Sequence, residues 1–296
     1  MSDLKEVFGK NIFIWSIDEI YKGDVFKIAK ELQTAHFQSV ILHSTRTSNW
    51  KQTNRINLVK ALQEIGIHVF GGCAVYGDSP TAEGKRAAAF CNDYGLLGWV
   101  FDAEQAFDNV KSPDSAASNL LRGFKQNAPD KLAGWCWWAF YQSKAGATYH
   151  PKGILWAATD DAYGDADFGI PMTYWSWGDD AENAVKYLEE SWRQWRLITD
   201  KPIIPAGRAY VGDGGSPTPE AMKAFEQRAR ELGAPGISWW SMQHALNTST
   251  VPHIWNTLSN MKPFSTNVET PIETHWYDGL SDHEILMDLL TGKHTL

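Results

Sequence analysis

The chain has 296 residues, 43% of them hydrophobic, and a net charge of -8, enough apolar matter to bury a core in one large α/β domain or two small ones. No Lys/Arg stripe suited to tracking phosphates is present, which argues against nucleic acid as a partner. No apolar run approaches the roughly 18 residues of a membrane span, and no Sec-type leader is legible. Neither membrane insertion nor a localisation is therefore assigned; export would need another route, such as a phage-like or cell-wall-lytic system.

In chain order, β-type runs recur at Asn11–Trp15, Ser39–His43, His68–Gly72, Gly98–Asp102, Leu132–Trp138, Gly169–Tyr174, Pro202–Ala206 and Gly236–Trp240. Between them, Asp24–Ala35, Asn54–Ile65, Thr81–Tyr94, Ser115–Gln126, Ala181–Ile198 and Thr218–Leu232 space their apolar residues at helical intervals. Asp24 and Asn54 sit at helix starts, and Gly66, Gly95 and Gly233 stand just before the next strand. Repeated βα alternation at this length predicts an α/β fold, a (β/α)₈ TIM barrel, over residues 1–262. An open doubly wound sheet is the alternative, but the first βα turn, "WSIDEIYKGD", carries no GxGxxG.

Residues 263–296 change character, running through a Pro/Thr/Asn-rich stretch into a short amphipathic helix over Ser281–Leu290. This extension reads either as a strap packing back on the barrel or as a docking segment for a protein partner.

Cys73, Cys91 and Cys136 are scattered and odd in number, without CxxC spacing, so they read as small core residues. Fifteen tryptophans are many for this length; about half are assigned to core filling and the rest to a surface that grips a ligand with apolar faces, as sugars have. The strand ends hold no HxH or HExxH spacing, so no metal and no cofactor is expected.

Barrel active sites lie at the C-terminal ends of the strands. There the fourth strand ends in Asp102-Ala103-Glu104, and strand alternation puts both carboxylates side by side. Each then raises the other's proton affinity, so that one acts as an acid while the other stays ionised. The alternative is a helix-capping pair, or one bridged by Arg46, Arg208 or Lys144. Other strand ends offer Trp137, Trp138, Trp175, Trp177 and Trp240 as sugar platforms, and Tyr141, Gln142, Tyr174 and Gln243 as hydrogen-bonding groups. His43 ends the second strand, where it is either a substrate contact or a structural histidine. Asp18, Glu19, Asp179 and Asp180 are further acids at the mouth, the last two more suited to capping the helix from Ala181.

These motifs resemble the family-18 glycoside hydrolases, the chitinase-like enzymes. Asp102 and Glu104 are similar to the end of that family's DxxDxDxE, Gly71-Gly72 to the end of its SxGG, Met172 to Tyr174 to its MxY, and Gly236 to Trp240 to its GxxxW. The resemblance implies Glu104 as general acid, Asp102 orienting a substrate acetamido group, and Tyr174 bonding its carbonyl. It also implies a β-linked aminosugar polymer, chitin- or peptidoglycan-like, as the glycan substrate. The upstream motif acids fall at Leu97 and Val100, the motif Ser at Val69, and Trp175 follows Tyr174 where the family has Asp. A family-25, lysozyme-like barrel is the second resemblance. Beside the enzyme stands the alternative of a catalytically inactive barrel that binds carbohydrate or builds a cell-surface or viral assembly.

Overall fold

A computed structural model describes Leu4 and residues 8–140, 166–176, 178–213, 215–247 and 252–264. All fall within the compact unit Met1–Thr266. Eight strands form it: β1 Gly9–Ile14, β2 Ser39–Ser44, β3 His68–Val75, β4 Gly98–Ala103, β5 Leu132–Trp138, β6 Phe168–Met172, β7 Ala206–Arg208 and β8 Gly236–Trp240. They pair in parallel in chain order and close through β8 against β1, so the expected (β/α)₈ barrel is the fold. The extension after Thr266 and its expected helix lie outside the described residues.

Around the strands run α1 Val25–Thr34, α2 Thr53–Glu64, α3 Pro80–Tyr94, the short α4 Gln105–Asp108, α5 Pro113–Lys125, α6 Ala181–Arg196, α7 Pro219–Glu231, the short α8 Met242–Ala245 and α9 Pro252–Asn260. Among the described residues no helix is long and apolar enough to cross a membrane.

Local chemistry sets these boundaries. Asp24 accepts from the Lys27 amide at 3.0 Å and starts α1, and Thr218 does the same for Ala221 at 3.1 Å ahead of Pro219 in α7. Gly95 ends α3 in the left-handed region at φ 64°, where a side chain would be strained. Asn54 does not cap α2; its amide donates to Asp18 Oδ1 at 2.8 Å, and Gln52 holds the N-cap position. The seventh strand begins later than expected, because Pro202 and Pro205 have no N–H to give a ladder. The Ile204 amide between them reaches Gly169 instead.

Strand alternation builds two cores. Phe8, Phe13, Ile41, Phe70, Val100 and Phe168 fill the barrel interior, while Trp99, Phe101, Trp135 and Trp239 pack outward under the helices. The Gly71-Gly72 pair serves both sides. A Cβ on Gly71 would meet the Trp99 ring at 2.3 Å, and one on Gly72 would meet Ile41 at 2.9 Å inside. At the lower end of the barrel buried polar side chains pair with one another: Ser238 donates to Asn11, and Asn11 to Ser39, each at 2.7 Å. Cys73, Cys91 and Cys136 are buried and free.

Lys10 on β1 is fully buried, and its ammonium donates to the carbonyls of Ala35 (2.6 Å), Leu258 (2.6 Å) and Met261 (2.8 Å). Burial pushes it down to about 8.

Candidate active site

Val100 and Asp102 share the inner face of β4, so the carboxylate emerges above the apolar filling of the barrel, and Glu104 follows at the strand's end. Glu104 occupies the N-cap position of α4, but its side chain makes no capping bond; only its backbone carbonyl serves the helix, accepting from Phe107 at 2.8 Å. Nor does either described cation of those suggested bridge the pair. Arg46 binds Asp78 at 3.0 Å, Arg208 binds Asp179, and Lys144 lies outside the described residues. Neither carboxylate caps α4 or is bridged by Arg46 or Arg208.

They line a cavity of about 480 Å³ together with Cys136, Trp138, Met172, Tyr174, Tyr210 and Trp240, among others. That volume suits a small organic ligand or one or two sugar rings. Asp102 is 4% exposed. Its Oδ2 accepts from His43 Nε2 at 3.0 Å, while Oδ1 is buried with no hydrogen-bond partner. Glu104 keeps solvent on one side, and its carboxyl is nonetheless pushed up to about 7, by lost hydration first and by the Asp102 charge second. At neutral pH one member of the pair therefore carries a proton for much of the time. Burial also raises the Tyr174 phenol well above its ordinary range, so it stands as a neutral donor.

The other expected residues divide by strand parity. Trp138 and Trp240 line the cavity, each half-buried. Trp240 packs edge-on to Phe13 (5.0 Å) and Trp15 (5.5 Å), and the Trp240–Ser241 peptide is cis. Trp137 is no sugar platform: it faces the helices, 1% exposed, and donates to Asp108 at 3.2 Å. Trp175 is likewise fully buried, against Phe225 and beneath the Arg208 guanidinium. Gln243 is off the cavity wall and accepts from the Trp15 amide at 3.4 Å. His43, 1% exposed, contacts Asp102 and is not part of the wall. Trp177, Tyr141 and Gln142 lie outside the described residues.

The third acid of the cavity is neither Asp18 nor Asp180. Asp180 caps α6 by accepting from the Asn183 amide at 2.9 Å. Asp179 does not cap; it binds Arg208 and the Ser216 amide. Asp213, in the turn after β7, lines the cavity instead and accepts from the Tyr210 hydroxyl. Tyr210 meets Tyr174 edge-on at 5.7 Å. Sequence reasoning missed Tyr210 and Asp213 because it ended the seventh strand at Ala206. It missed Trp15, 40% exposed beside Trp240, although its parity with Phe13 was readable. Among the described residues no three His, Cys, Asp or Glu converge as a metal set.

No protein-family profile and no curated protein sequence matches the chain. Solved structures do. A GH18 chitinase from Pseudoalteromonas aurantia is 14% identical, with a TM-score of 0.57 over 84% of this chain and 99% of its own. The spore cortex-lytic enzyme SleL of Bacillus cereus is 12% identical, with a TM-score of 0.60 over 86% of this chain and 74% of its own. An endo-1,4-beta-mannanase from Rhizomucor miehei is 11% identical, with a TM-score of 0.58 over 86% and 93%. The barrel resembles those of chitinases and other glycoside hydrolases; at such identity the likeness is one of fold.

Proposed function

We propose that the chain is a glycoside hydrolase that cleaves a β-linked aminosugar polymer, chitin- or peptidoglycan-like, with Glu104 as the proton donor. One observation carries this reading: the Glu104 carboxyl is pushed up to about 7 beside Asp102 in an aromatic-walled cavity at the catalytic end of a barrel. A cavity that only binds sugar has no need of an acid held near neutrality.

The aminosugar follows from Asp102. Its buried Oδ1 lacks a donor, and an acetamido N–H supplies one. So held, the acetamido carbonyl oxygen attacks the anomeric carbon, with the Tyr174 hydroxyl donating to that group. The C–O bond breaks as Glu104 protonates the glycosidic oxygen, and the leaving sugar departs as an alcohol. The Glu104 carboxylate then takes a proton from the water that opens the cyclic intermediate. Trp138 and Trp240 supply the flat apolar faces against which sugar rings pack.

The test compares wild type with Glu104→Gln on N-acetylglucosamine oligomers and purified peptidoglycan, following products by mass. Cleavage lost in the variant supports the assignment and names the sugar. Full activity in the variant, or sugar binding with no turnover by wild type, overturns it.

A further inference from the structure

Asp102 has one oxygen without a donor, and the other oxygen is held by a side chain two strands away. β2 and β4 are not neighbours; β3 lies between them, pairing His43 with Gly72 and Gly72 with Val100. The intervening position is a glycine; a Cβ there would touch His43 Cδ2 at an ordinary 3.6 Å and crowd Ile41 Cγ2 at 2.9 Å. Beneath Asp102 on its own strand stands Val100, which offers no hydrogen bond.

The ring is fixed on its other sides. Phe13, Trp15 and Trp240 surround it at 6.2, 5.5 and 5.6 Å between centroids, and the His43 carbonyl accepts from Arg55 Nη2 at 3.0 Å. His43 Nδ1 is buried with no partner. A carboxylate only accepts, so the tautomer that makes this bond carries its hydrogen on Nε2.

We propose that His43 is a positioning residue: through Nε2–H it occupies Asp102 Oδ2, fixing the plane of the carboxylate and leaving Oδ1 for the substrate's N–H. The inference rests on the reading of Asp102 and Glu104 as the reacting pair. A charge-assisted bond of this kind stabilises the anion and fixes its plane. Among the described residues the other ionisable groups acting on Asp102 at the barrel mouth are Glu104, Cys136 on β5 and Tyr174 after β6, none of them a cation. Among the described residues, loss of the His43 donor therefore leaves Asp102 with the weak Cys136 thiol and no cation.

The experiment uses His43→Gln, which keeps an N–H at similar reach, and His43→Leu, which keeps bulk without a donor. His43→Asn, polar but too short to reach Oδ2, replaces Leu if that variant does not fold. Three quantities are read: kcat and KM on N-acetylglucosamine oligomers, the acid limb of the pH–rate profile, and the Asp102 side-chain titration by 13C NMR of aspartate-labelled protein.

The donorless variant should lose about 10- to 100-fold in kcat. Its acid limb and its Asp102 titration should both move to higher pH, while Gln keeps most of the rate and leaves both in place. Equal impairment of Gln and Leu, or a folded Leu variant with wild-type kcat and an unmoved Asp102 titration, overturns the proposal. If wild type cleaves no glycan, the glycosidase reading falls separately and the titration alone decides: a moved Asp102 sustains the role of His43, and an unmoved one ends it.

Discussion

Replacing Asp102 by Asn tests the electrostatics of the pair. Glu104 rises from 4.5 to about 7 through two causes, burial first and the Asp102 charge second. The Asn variant removes the second and leaves the first. Because the charge is the smaller cause, the basic limb of kcat/KM should fall by about one pH unit at most, ending well above an ordinary glutamate. For a donor near pH 7 the ratio of rates at pH 6 and pH 8 is about 10; for one near pH 6 it is about 50. Initial rates on a soluble N-acetylglucosamine oligomer across pH 4 to 9 read this ratio. It is internal to each variant, so the lower absolute rate expected from losing the acetamido acceptor does not disturb it. A limb that stays in place or rises would refute the coupling and move the search for the donor away from Glu104.

Glu104→Gln should be stabilising, and only at higher pH. Between pH 4.5 and about 7 the folded protein holds a proton that the unfolded chain has released, so wild-type stability falls as pH rises through that window. The melting temperature of the variant relative to wild type should therefore climb from pH 4 to pH 8, and a pH-independent difference would contradict the raised value. Trp240→Ala should weaken oligomer binding about tenfold or more by calorimetry, with Phe partly restoring it; unchanged binding would remove Trp240 from the cavity wall's function. Gly84→Ala reverses the usual helix rule: a Cβ there would lie 2.0 Å from the Leu120 carbonyl oxygen, where α3 meets α5 backbone to backbone. The clash should cost about 1–3 kcal/mol, lowering the melting temperature by several degrees, although Ala is the better helix former.

The βα rhythm made the barrel legible, because each run of Val, Ile, Phe and Trp was short and was followed by a helix with its own stop signal. The place of Asp102 and Glu104 on the cavity wall was legible too, because they close the fourth apolar run. Parity was readable but not applied to the tryptophans. Counting in twos from Asp102's neighbour Cys136 puts Trp138 inside and Trp137 outside, and counting from Tyr174 puts Trp175 outside. The helix α9 also carried its signals, with Pro252 first and Ile254, Trp255 and Leu258 on its buried side. The bond between His43 and Asp102 was not legible, because it depends on the register of three strands. Tyr210 and Asp213 were hidden by the prolines that delay β7.

The buried ammonium of Lys10 bears on how the molecule is made. Two of its three acceptors, Leu258 and Met261, are synthesised about 250 residues after it, and Gln38 Oε1 likewise waits to bind the Phe264 amide at 2.6 Å while already serving the Lys10 amide at 2.9 Å. During translation the first strand therefore emerges with a cation that only water can solvate until α9 arrives, and with an edge that β8 covers. Ring closure is a late event, because burying that charge before α9 is made costs two of its three acceptors.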